Sequence, residues 1–314
     1  MIVEVASLHK TYQTKTGAVA AVAGIDLEVP AGEIFGLLGP NGAGKTTTIS
    51  ICTTRALPTS GSVRIAGVDV VREPARARVH MGVVPQYNTL DRSLTVFENV
   101  YFHCRYFGMN GAAARARSEA LLQQFHLQER GKALPTQLSG GMQQRVQIAR
   151  AIAHHPEVLF LDEPSAGLDP QSRIAMWEAV TSLRKEGITV VLTTHYMEEA
   201  DALCDRVAVV DQGRVLALDT PAALKQQHGV YTVLELKLRD QVSAPALLRE
   251  IAALSGVARA ELTGEGIRVF ADQLDGLLPL VVAAARAAGL RDLRVQEPSL
   301  ETVFLQLTGR ELRD

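Results

Sequence analysis

Residues 39–47 read Gly39-Pro40-Asn41-Gly42-Ala43-Gly44-Lys45-Thr46-Thr47 and directly follow the apolar run Ile34–Leu38. They match the pattern G-x-x-x-x-G-K-[ST], in which glycines let backbone N–H groups close around phosphates. Lys45 would supply positive charge to the β- and γ-phosphates, and the Thr46 hydroxyl could ligate Mg²⁺. A helix beginning near Lys45 would add its positive dipole end. All nine residues are therefore predicted to line a nucleoside triphosphate site.

A pair of carboxylates, Asp162-Glu163, ends the apolar run Val158–Leu161. In parallel sheets, ligands bind at the carboxyl ends of the strands. Asp162 could hold Mg²⁺ through water, and Glu163 could polarise the water that attacks a γ-phosphate. Alone, such a dipeptide would be a solvated turn, but beside a phosphate-binding loop it predicts a hydrolytic site.

A third segment, Leu138-Ser139-Gly140-Gly141-Met142, has the pattern of a helix start with Ser139 as the cap. Consecutive small residues at a helix N-terminus can meet a phosphate with backbone N–H groups and a hydroxyl. This pattern is weak by itself. Together with the phosphate-binding loop, it predicts two phosphate-facing surfaces on one chain.

Composition limits the possible functions. The 314 residues are 47% hydrophobic with a formal net charge of -2, which predicts a globular protein with room for two domains and no nucleic-acid partner. The three cysteines are far apart and odd in number, which favours neither a disulfide framework nor a zinc site and is typical of the cytoplasm. The N-terminus lacks a signal-peptide pattern, and the apolar stretch Gly276–Leu290 is shorter than the about 20 residues of a membrane span. Membrane contact is therefore expected only through partner subunits.

Hydrophobic patterning predicts an α/β domain over residues 1–228, followed by a smaller domain over 229–314. Fully buried parallel strands are predicted where short apolar runs occur, at Ile34–Leu38, Val158–Leu161, Thr189–Leu192 and Arg206–Val210. A helical subdomain of about residues 88–155 interrupts this core. The C-terminal domain has the order strand, helix, strand, strand, helix, strand, which predicts a small α+β ferredoxin-like fold.

The order of the motifs resembles an ABC-type ATPase over about residues 1–224. The shared motifs are the phosphate-binding loop, Gln86, the segment 138–142, Asp162-Glu163, Gly167-Leu168-Asp169 and His195. The resemblance implies a P-loop NTPase (RecA-like) core with a β-rich N-terminal part and a helical insertion. It also implies ATP and Mg²⁺ as cofactors and a head-to-tail homodimer, in which segment 138–142 of one copy caps the ATP on the phosphate-binding loop of the other.

The resemblance assigns the catalytic and metal residues as well. Glu163 would be the general base, and His195 would hydrogen-bond the γ-phosphate and the attacking water. Gln86 would complete the Mg²⁺ environment, together with Thr46 and Asp162, and signal to a membrane partner.

Further binding residues follow from the same resemblance. Tyr12 would stack on adenine, and Asp169 would couple the two nucleotide sites. Ser139, Gly140 and Gly141 would contact ATP across the dimer. The family usually has Gln where this chain has Met142, but the phosphate contacts fall on Ser139 and the glycines, so we expect the dimer to form.

Residues 193–201, 204–206 and 297–305 resemble ATPase subunits of drug-exporter ABC transporters, in the daunorubicin-resistance and nodulation-factor-export group. This resemblance implies a peripheral protein on the cytoplasmic face of the inner (plasma) membrane. Its ATP hydrolysis would drive efflux of a drug-like, lipid or glycolipid substrate through separate transmembrane subunits. Those subunits would dock a short helix in a groove formed by residues 87–107, where five aromatic residues cluster.

Two alternatives remain open from the sequence. One is a soluble ABC ATPase without a transport role, although the chain has neither two ATPase units nor a long coiled coil or basic face. The other is a nucleotide-sensing module with slow hydrolysis. A GTPase is disfavoured because no N/T-K-x-D element follows the core strands.

Overall fold

The computed structural model describes residues 1–15, 17–228, 231–239, 244–271 and 274–308. The chain divides into two compact units, Met1–Pro221 and Ala222–Arg310. The described strands of the first unit are, in chain order, β1 (Val3–Thr14), β2 (Gly17–Val29), β3 (Ile34–Leu38), β4 (Ser60–Ile65), β5 (Val68–Asp69), β6 (Met81–Val84), β7 (Val158–Asp162), β8 (Thr189–Thr194), β9 (Arg206–Asp211) and β10 (Arg214–Asp219). The helices from Lys45 to Gln227 are α1 (Lys45–Cys52), α2 (Pro74–Val79), α3 (Val96–Tyr106), α4 (Gly111–Gln124), α5 (Gly140–Ala151), α6 (Pro170–Lys185), α7 (Met197–Leu203) and α8 (Pro221–Gln227).

A six-stranded sheet in the order β10-β9-β3-β8-β7-β6 forms the centre of the first unit. Its strands pair in parallel except for β10, which is antiparallel to β9. Every residue of β3, β7 and β8 is buried, as expected for a parallel sheet covered on both faces. The four predicted parallel strands are confirmed, with β8 extending two residues beyond the apolar run, whereas β9 is fully buried only at residues 207–210.

Strand register places the ends of three strands side by side. Leu38, the last residue of β3, pairs with Thr194, and Asp162, the last residue of β7, pairs with Thr193. The segments that follow β3, β7 and β8 therefore leave the sheet at one edge. These segments are the phosphate-binding loop, the Glu163 turn and the His195 turn.

A second, antiparallel sheet in the order β2-β1-β4-β5 carries the N-terminal part of the unit. Strand β2 reaches the central sheet, because the backbone N–H of Ala23 donates to the Gly213 carbonyl at 2.8 Å. Gly213 in turn donates to the Ala43 carbonyl at 2.9 Å. The β-rich N-terminal part is thus hydrogen-bonded, through the β9–β10 turn, to the phosphate-binding loop.

Helices α3, α4 and α5 lie between β6 and β7, together with two 3-10 turns at Gln128–Arg130 and Pro135–Gln137. The first helix begins at Val96 rather than near Asn88. Thr95 forms a capping box, in which its hydroxyl accepts from the Glu98 backbone N–H and the Glu98 carboxylate accepts from the Thr95 N–H. Residues 88–95 lie outside any helix, a boundary that apolar periodicity does not indicate.

The second unit contains β11 (Thr232–Leu238), α9 (Ala244–Ala252), β12 (Val257–Thr263), β13 (Gly266–Ala271), α10 (Leu277–Ala287), β14 (Leu290–Gln296) and α11 (Leu300–Thr308). Its strands form an antiparallel sheet in the order β12-β13-β11-β14. Alternation along β11 buries Leu234, Leu236 and Leu238 in a core of the unit's own. Helix α10 begins at Leu277, directly after Gly276, which has a left-handed φ of 77°.

The separate core of the second unit generates a stability prediction. Leu236 is 1% exposed, so Leu236→Ala should destabilise that unit by about 2–5 kcal/mol through lost burial and a cavity. Trp177, the single tryptophan, lies in the first unit and reports its unfolding by fluorescence. We expect urea titrations to show an earlier circular-dichroism transition with an unchanged fluorescence midpoint.

The matched control is Leu262→Ala, at a leucine of the same unit that is 49% exposed, and it should leave both transitions in place. Equal shifts of the fluorescence and circular-dichroism midpoints for Leu236→Ala would contradict two separate cores.

Candidate nucleotide site

The phosphate-binding loop requires glycine at two positions for steric reasons. A Cβ at Gly39 would lie 2.1 Å from the Val210 carbonyl oxygen, and a Cβ at Gly44 would lie 2.4 Å from the Ala21 carbonyl oxygen. Gly44 also has a φ of 103°, in the left-handed region that favours glycine. The loop is therefore held between the end of β9 and strand β2, and α1 begins directly after it at Lys45. Asn41 and Gly42 at its tip are exposed, Thr46 at the start of the helix is exposed, and Thr47 is partly buried.

Lys45 is buried at the centre of this loop, with 4% of its surface exposed. Its Nζ donates to the carbonyl oxygens of Gly39 at 2.7 Å and Pro40 at 3.0 Å. Burial lowers the pKa of Lys45, while the carboxylates of Glu163 and Asp162 act in the opposite direction. An ammonium group in this position favours a bound anion, because added negative charge offsets its desolvation.

Asp162 is held by two hydroxyl groups. Thr46 Oγ1 donates to Asp162 Oδ1 at 3.0 Å, and Thr193 Oγ1 donates to the same oxygen at 2.6 Å. A carboxylate and a threonine hydroxyl thus meet beside the phosphate-binding loop. Because Mg²⁺ takes oxygen ligands and is usually bound by few protein groups plus phosphates, this donor set fits Mg²⁺.

The carboxylate of Glu163 contacts the other predicted catalytic residues. Gln86 Nε2 donates to Glu163 Oε2 at 3.1 Å, His195 Nδ1 lies 3.3 Å from the same oxygen, and Lys45 Nζ lies 3.7 Å from Glu163 Oε1. His195 Nδ1 is buried and lacks hydrogen-bond geometry to any described group, although it is within ion-pair distance of Glu163. The structure therefore brings Gln86, Glu163 and His195 together beside Lys45.

The backbone of Glu163 is strained. Its φ is 48°, a left-handed conformation that a non-glycine residue adopts only where its surroundings impose it. The Glu163 N–H donates to Thr193, to the hydroxyl at 3.0 Å and to the carbonyl at 3.1 Å. Thr193 therefore holds both carboxylate residues, because its hydroxyl also binds Asp162.

Sequence reasoning missed Thr193. The strand prediction ended at Leu192, and residues 193–194 served only for comparison with a protein group. A signal was available, because two β-branched hydroxyl residues continue the apolar run and could extend the strand. Thr193 and Thr194 are both fully buried in β8.

The predicted signature segment forms the start of α5. Ser139 caps this helix by accepting from the Met142 N–H at 3.3 Å. A Cβ at Gly141 would lie 2.5 Å from Ser172 Oγ, so the N-terminus of α5 packs against that of α6. Asp169 caps α6 by accepting from the Ser172 N–H and hydroxyl, and these bonds lower the pKa of Asp169.

Not every predicted site residue joins the cluster at Glu163. Within the described part of the chain, no hydrogen bond links Ser139, Gly140 or Gly141 to the phosphate-binding loop. Tyr12 is 40% exposed on β1, with Lys10 Nζ 4.7 Å from its ring centroid. It pairs with Val19, two residues before the Ala21 carbonyl that lies against Gly44.

Comparison with known proteins identifies the family. A family model described as ABC transporter matches residues 22–166. The chain is 42% identical to the Nod factor export ATP-binding protein I of Paraburkholderia xenovorans (strain LB400), over 99% of this chain and 98% of the relative. The chain belongs to the ABC transporter family. It is also 39% identical to the linearmycin resistance ATP-binding protein LnrL of Bacillus subtilis (strain 168), over 98% of each chain.

One relative is named for Nod factor export and the other for resistance to linearmycin, so the predicted drug-exporter and nodulation-factor-export group is confirmed. This chain is an ATP-binding and ATP-hydrolysing subunit of an ABC exporter, rather than an ABC ATPase without a transport role. A solved structure described as the dimeric post-hydrolysis state of the ATP-binding cassette MJ0796 bound to ADP and Pi aligns with a TM-score of 0.64 and 29% identity. It covers 69% of this chain and 98% of that one, which confirms the ABC cassette fold. No helix in the described ranges is long and apolar enough to cross a membrane.

The position of Thr193 generates a prediction about catalysis. Thr193→Val removes the hydroxyl that binds Asp162 and Glu163, so it should destabilise the first unit by roughly 1–3 kcal/mol. The two carboxylates would also be misplaced, and ATP turnover should fall by roughly tenfold or more. Urea unfolding and steady-state ATPase assays at several Mg²⁺ concentrations measure the two effects.

Thr189→Val is the matched control. Thr189 lies at the opposite end of β8, is fully buried, and accepts from the Gly32 N–H at 3.0 Å. The Thr189→Val variant should lose about as much free energy of unfolding as Thr193→Val but should hydrolyse ATP at the rate of the unaltered chain. Equal turnover in the two variants would show that Thr193 has only a structural role.

Proposed function

We propose that the cluster around Glu163 hydrolyses Mg-ATP. The carrying observation is the convergence of Gln86, His195 and Lys45 on the Glu163 carboxylate within 3.7 Å. In this proposal the loop Gly39–Thr47 and α1 cradle the phosphates, Lys45 neutralises their charge, and Tyr12 stacks on the adenine ring. Thr46, Asp162 and Gln86 hold Mg²⁺, which when bound neutralises charge on the phosphate oxygens.

Glu163 acts as the general base that orients and deprotonates water. The Nδ1 atom of His195 lies 3.3 Å from Glu163 Oε2, so the imidazole ring stands beside the base, where it would hydrogen-bond the terminal phosphate and the water. Gln86 is exposed and hydrogen-bonded to Glu163, so a displacement of the segment that carries Gln86 would also displace the Glu163 carboxylate.

The complete site requires a second copy of the chain. Ser139, Gly140 and Gly141 present a capped helix N-terminus suited to phosphate, but their described contacts lie with α5, Leu168 and Ser172. A head-to-tail homodimer would bring this surface to the phosphate-binding loop of the partner, with Asp169 between the two sites. The dimeric MJ0796 structures, similar at a TM-score of 0.64, support this arrangement.

Transport is proposed to occur through separate transmembrane subunits at the cytoplasmic face of the inner membrane. The relatives are described as Nod factor export and linearmycin resistance proteins, which supports efflux of a lipid-like, glycolipid or drug-like substrate. The docking site in this proposal is the aromatic cluster on α3 and the preceding turn. Its members Tyr87, Phe102 and Tyr106 are 61%, 50% and 86% exposed.

The second unit is proposed to be a ferredoxin-like accessory domain of residues 229–314 that stabilises the dimer, after an ATPase domain of residues 1–228. Its element order and its β12-β13-β11-β14 sheet support the fold. The two compact units divide at Pro221, the first residue of α8, which lies seven residues before the end of the proposed ATPase domain.

The role of Glu163 is tested by Glu163→Gln. The amide keeps the shape of the side chain but cannot accept a proton, so turnover should fall by roughly 10²- to 10⁴-fold while ATP binding is retained. Lys45→Ala should instead weaken nucleotide binding. Isothermal titration with ATP and a phosphate-release assay separate the two losses.

Glu178→Gln, at an exposed glutamate on α6, is the control and should hydrolyse ATP as the unaltered chain does. Turnover by Glu163→Gln at the rate of this control would rule out Glu163 as the base.

The docking proposal is tested by Tyr106→Glu. A charge at this 86% exposed aromatic position should disfavour an apolar partner surface without disturbing the buried ATPase core. Affinity purification from gently solubilised membranes of the native host should recover a multi-span membrane protein with the unaltered chain and much less with the variant. ATP turnover of the isolated chain should be unchanged.

Leu262→Glu, at an exposed leucine of the second unit, should recover as much membrane protein as the unaltered chain. Equal recovery with Tyr106→Glu would exclude docking at the aromatic cluster, and recovery of no membrane protein at all would contradict the partner proposal.

A further inference from the structure

Glu199 is a buried carboxyl group close to the site, yet it has no role in the scheme above. It lies on α7, four residues after His195, and is 0% exposed. Its Oε1 accepts from the Ser165 hydroxyl at 2.6 Å and from the Trp177 indole N–H at 3.2 Å. Burial of a carboxyl group costs several kcal/mol unless it is paired and hydrogen-bonded.

The bond to Ser165 reaches the loop that carries the proposed base. Residues 163–169 run from Glu163 to Asp169, and Ser165 is fully buried in their centre. Two turns fold this loop, because the Ala166 N–H donates to the Glu163 carbonyl at 3.2 Å and the Leu168 N–H to the Ser165 carbonyl at 3.2 Å. A displacement of Ser165 would therefore be transmitted to both ends of the loop.

The other contacts of Glu199 lead to His195 and to α6. Trp177 belongs to α6, the helix that Asp169 caps. Arg173, one turn earlier on α6, acts on the Glu199 carboxyl by charge and lies 4.8 Å from the centroid of the Tyr196 ring. The Tyr196 ring is in turn 4.0 Å from the His195 ring. Loop 163–169 and α6 thus meet at the Glu199 carboxyl group, and Arg173 and Tyr196 extend this connection to His195.

We propose that Glu199 is a positioning residue that holds loop 163–169 and the His195 turn in a fixed relation, so that Glu163 and His195 act on the same phosphate. The geometry that carries this inference is the 2.6 Å hydrogen bond between Ser165 and Glu199. Ser165 lies in the loop that begins at Glu163, and Glu199 lies on the helix that follows His195. The inference rests on the proposed roles of Glu163 and His195.

A packing role alone would not require a carboxyl group. Replacement of buried polar groups by apolar residues of similar volume is often neutral for stability. Here Oε1 binds two donors from two different elements, while Oε2 has no hydrogen-bond partner among the described residues, although the Thr194 hydroxyl acts on the group. Burial raises the pKa of Glu199. An amide could accept at the Oε1 position, so Glu199→Gln should preserve the connection.

The experiment compares three variants of the full chain at residue 199 and its neighbour. Glu199→Ala should lower kcat by roughly 10- to 100-fold, while KM for ATP should change less than about threefold. The reason is that the base would be displaced, whereas the phosphate-binding loop would stay intact. Glu199→Gln should recover most of the lost kcat. Glu198→Ala, at the exposed neighbouring glutamate, is the control and should behave as the unaltered chain.

Coupling to Ser165 is tested by a double-mutant cycle. Ser165→Ala should lower kcat in the same way, and the double variant Ser165→Ala with Glu199→Ala should lie within about twofold of the slower single variant. Additive losses would show that the two residues act separately and would overturn the inference. A kcat of Glu199→Ala within about threefold of Glu198→Ala would also overturn it.

Trp177 supplies a readout that does not depend on turnover. It is the only tryptophan of the chain, and its indole N–H binds Glu199. In a Glu163→Gln background, Mg-ATP should shift the ¹H–¹⁵N indole resonance, and Ser165→Ala should abolish or reduce that shift. An equal shift with and without the Ser165 hydroxyl would contradict the connection.

Failure of the underlying function gives a different pattern. If the unaltered chain does not hydrolyse ATP, or Glu163→Gln remains active, the catalytic proposal fails whatever the cycle shows. If Glu163→Gln is inactive and Glu199→Ala is fully active, only the positioning role of Glu199 fails.

Discussion

The paired ends of β3, β7 and β8 are the constraint on which the site depends. Parallel register sets Leu38 against Thr194 and Asp162 against Thr193, so three loops start from adjacent points at one edge of the sheet. The Thr193 hydroxyl then joins Asp162 to the Glu163 backbone. A shift of register would disrupt the packing of these fully buried strands and would separate the lysine, the carboxylates and the histidine.

The site contains a strained backbone and a buried charge, and the surrounding packing must offset their cost in folding free energy. Glu163 has a left-handed backbone, and Lys45 is buried with a lowered pKa. Such features persist where neighbouring contacts over-determine them, and they are frequent at functional sites. Contacts from both sheets supply that restraint, since Val210 and Ala21 each approach a loop glycine closely enough to exclude any side chain.

Much of this organisation was predictable from the sequence. Continuous apolar runs predicted the buried strands, and the spacing of the phosphate-binding loop and of Asp162-Glu163 predicted their meeting at one edge. The hydrogen bonds of Thr193 and the burial of Glu199 were not predictable in the same way, because the local sequence names neither the partner of a threonine in a strand nor the burial of a glutamate in a helix. Their roles depend on partners 31 and 34 residues away in the chain, namely Asp162 and Ser165. The start of α3 at Val96 depends likewise on a capping box rather than on periodicity.

We propose that each ATP is bound by residues from two copies of the chain and hydrolysed at Glu163. The most direct measurement is a structure of the full-length Glu163→Gln variant with Mg-ATP. We expect a nucleotide whose phosphates contact Lys45 of one copy and Ser139 of a second copy, with residue 163, Gln86 and His195 at the terminal phosphate. A nucleotide enclosed by a single copy, or a terminal phosphate out of reach of residue 163, would contradict it.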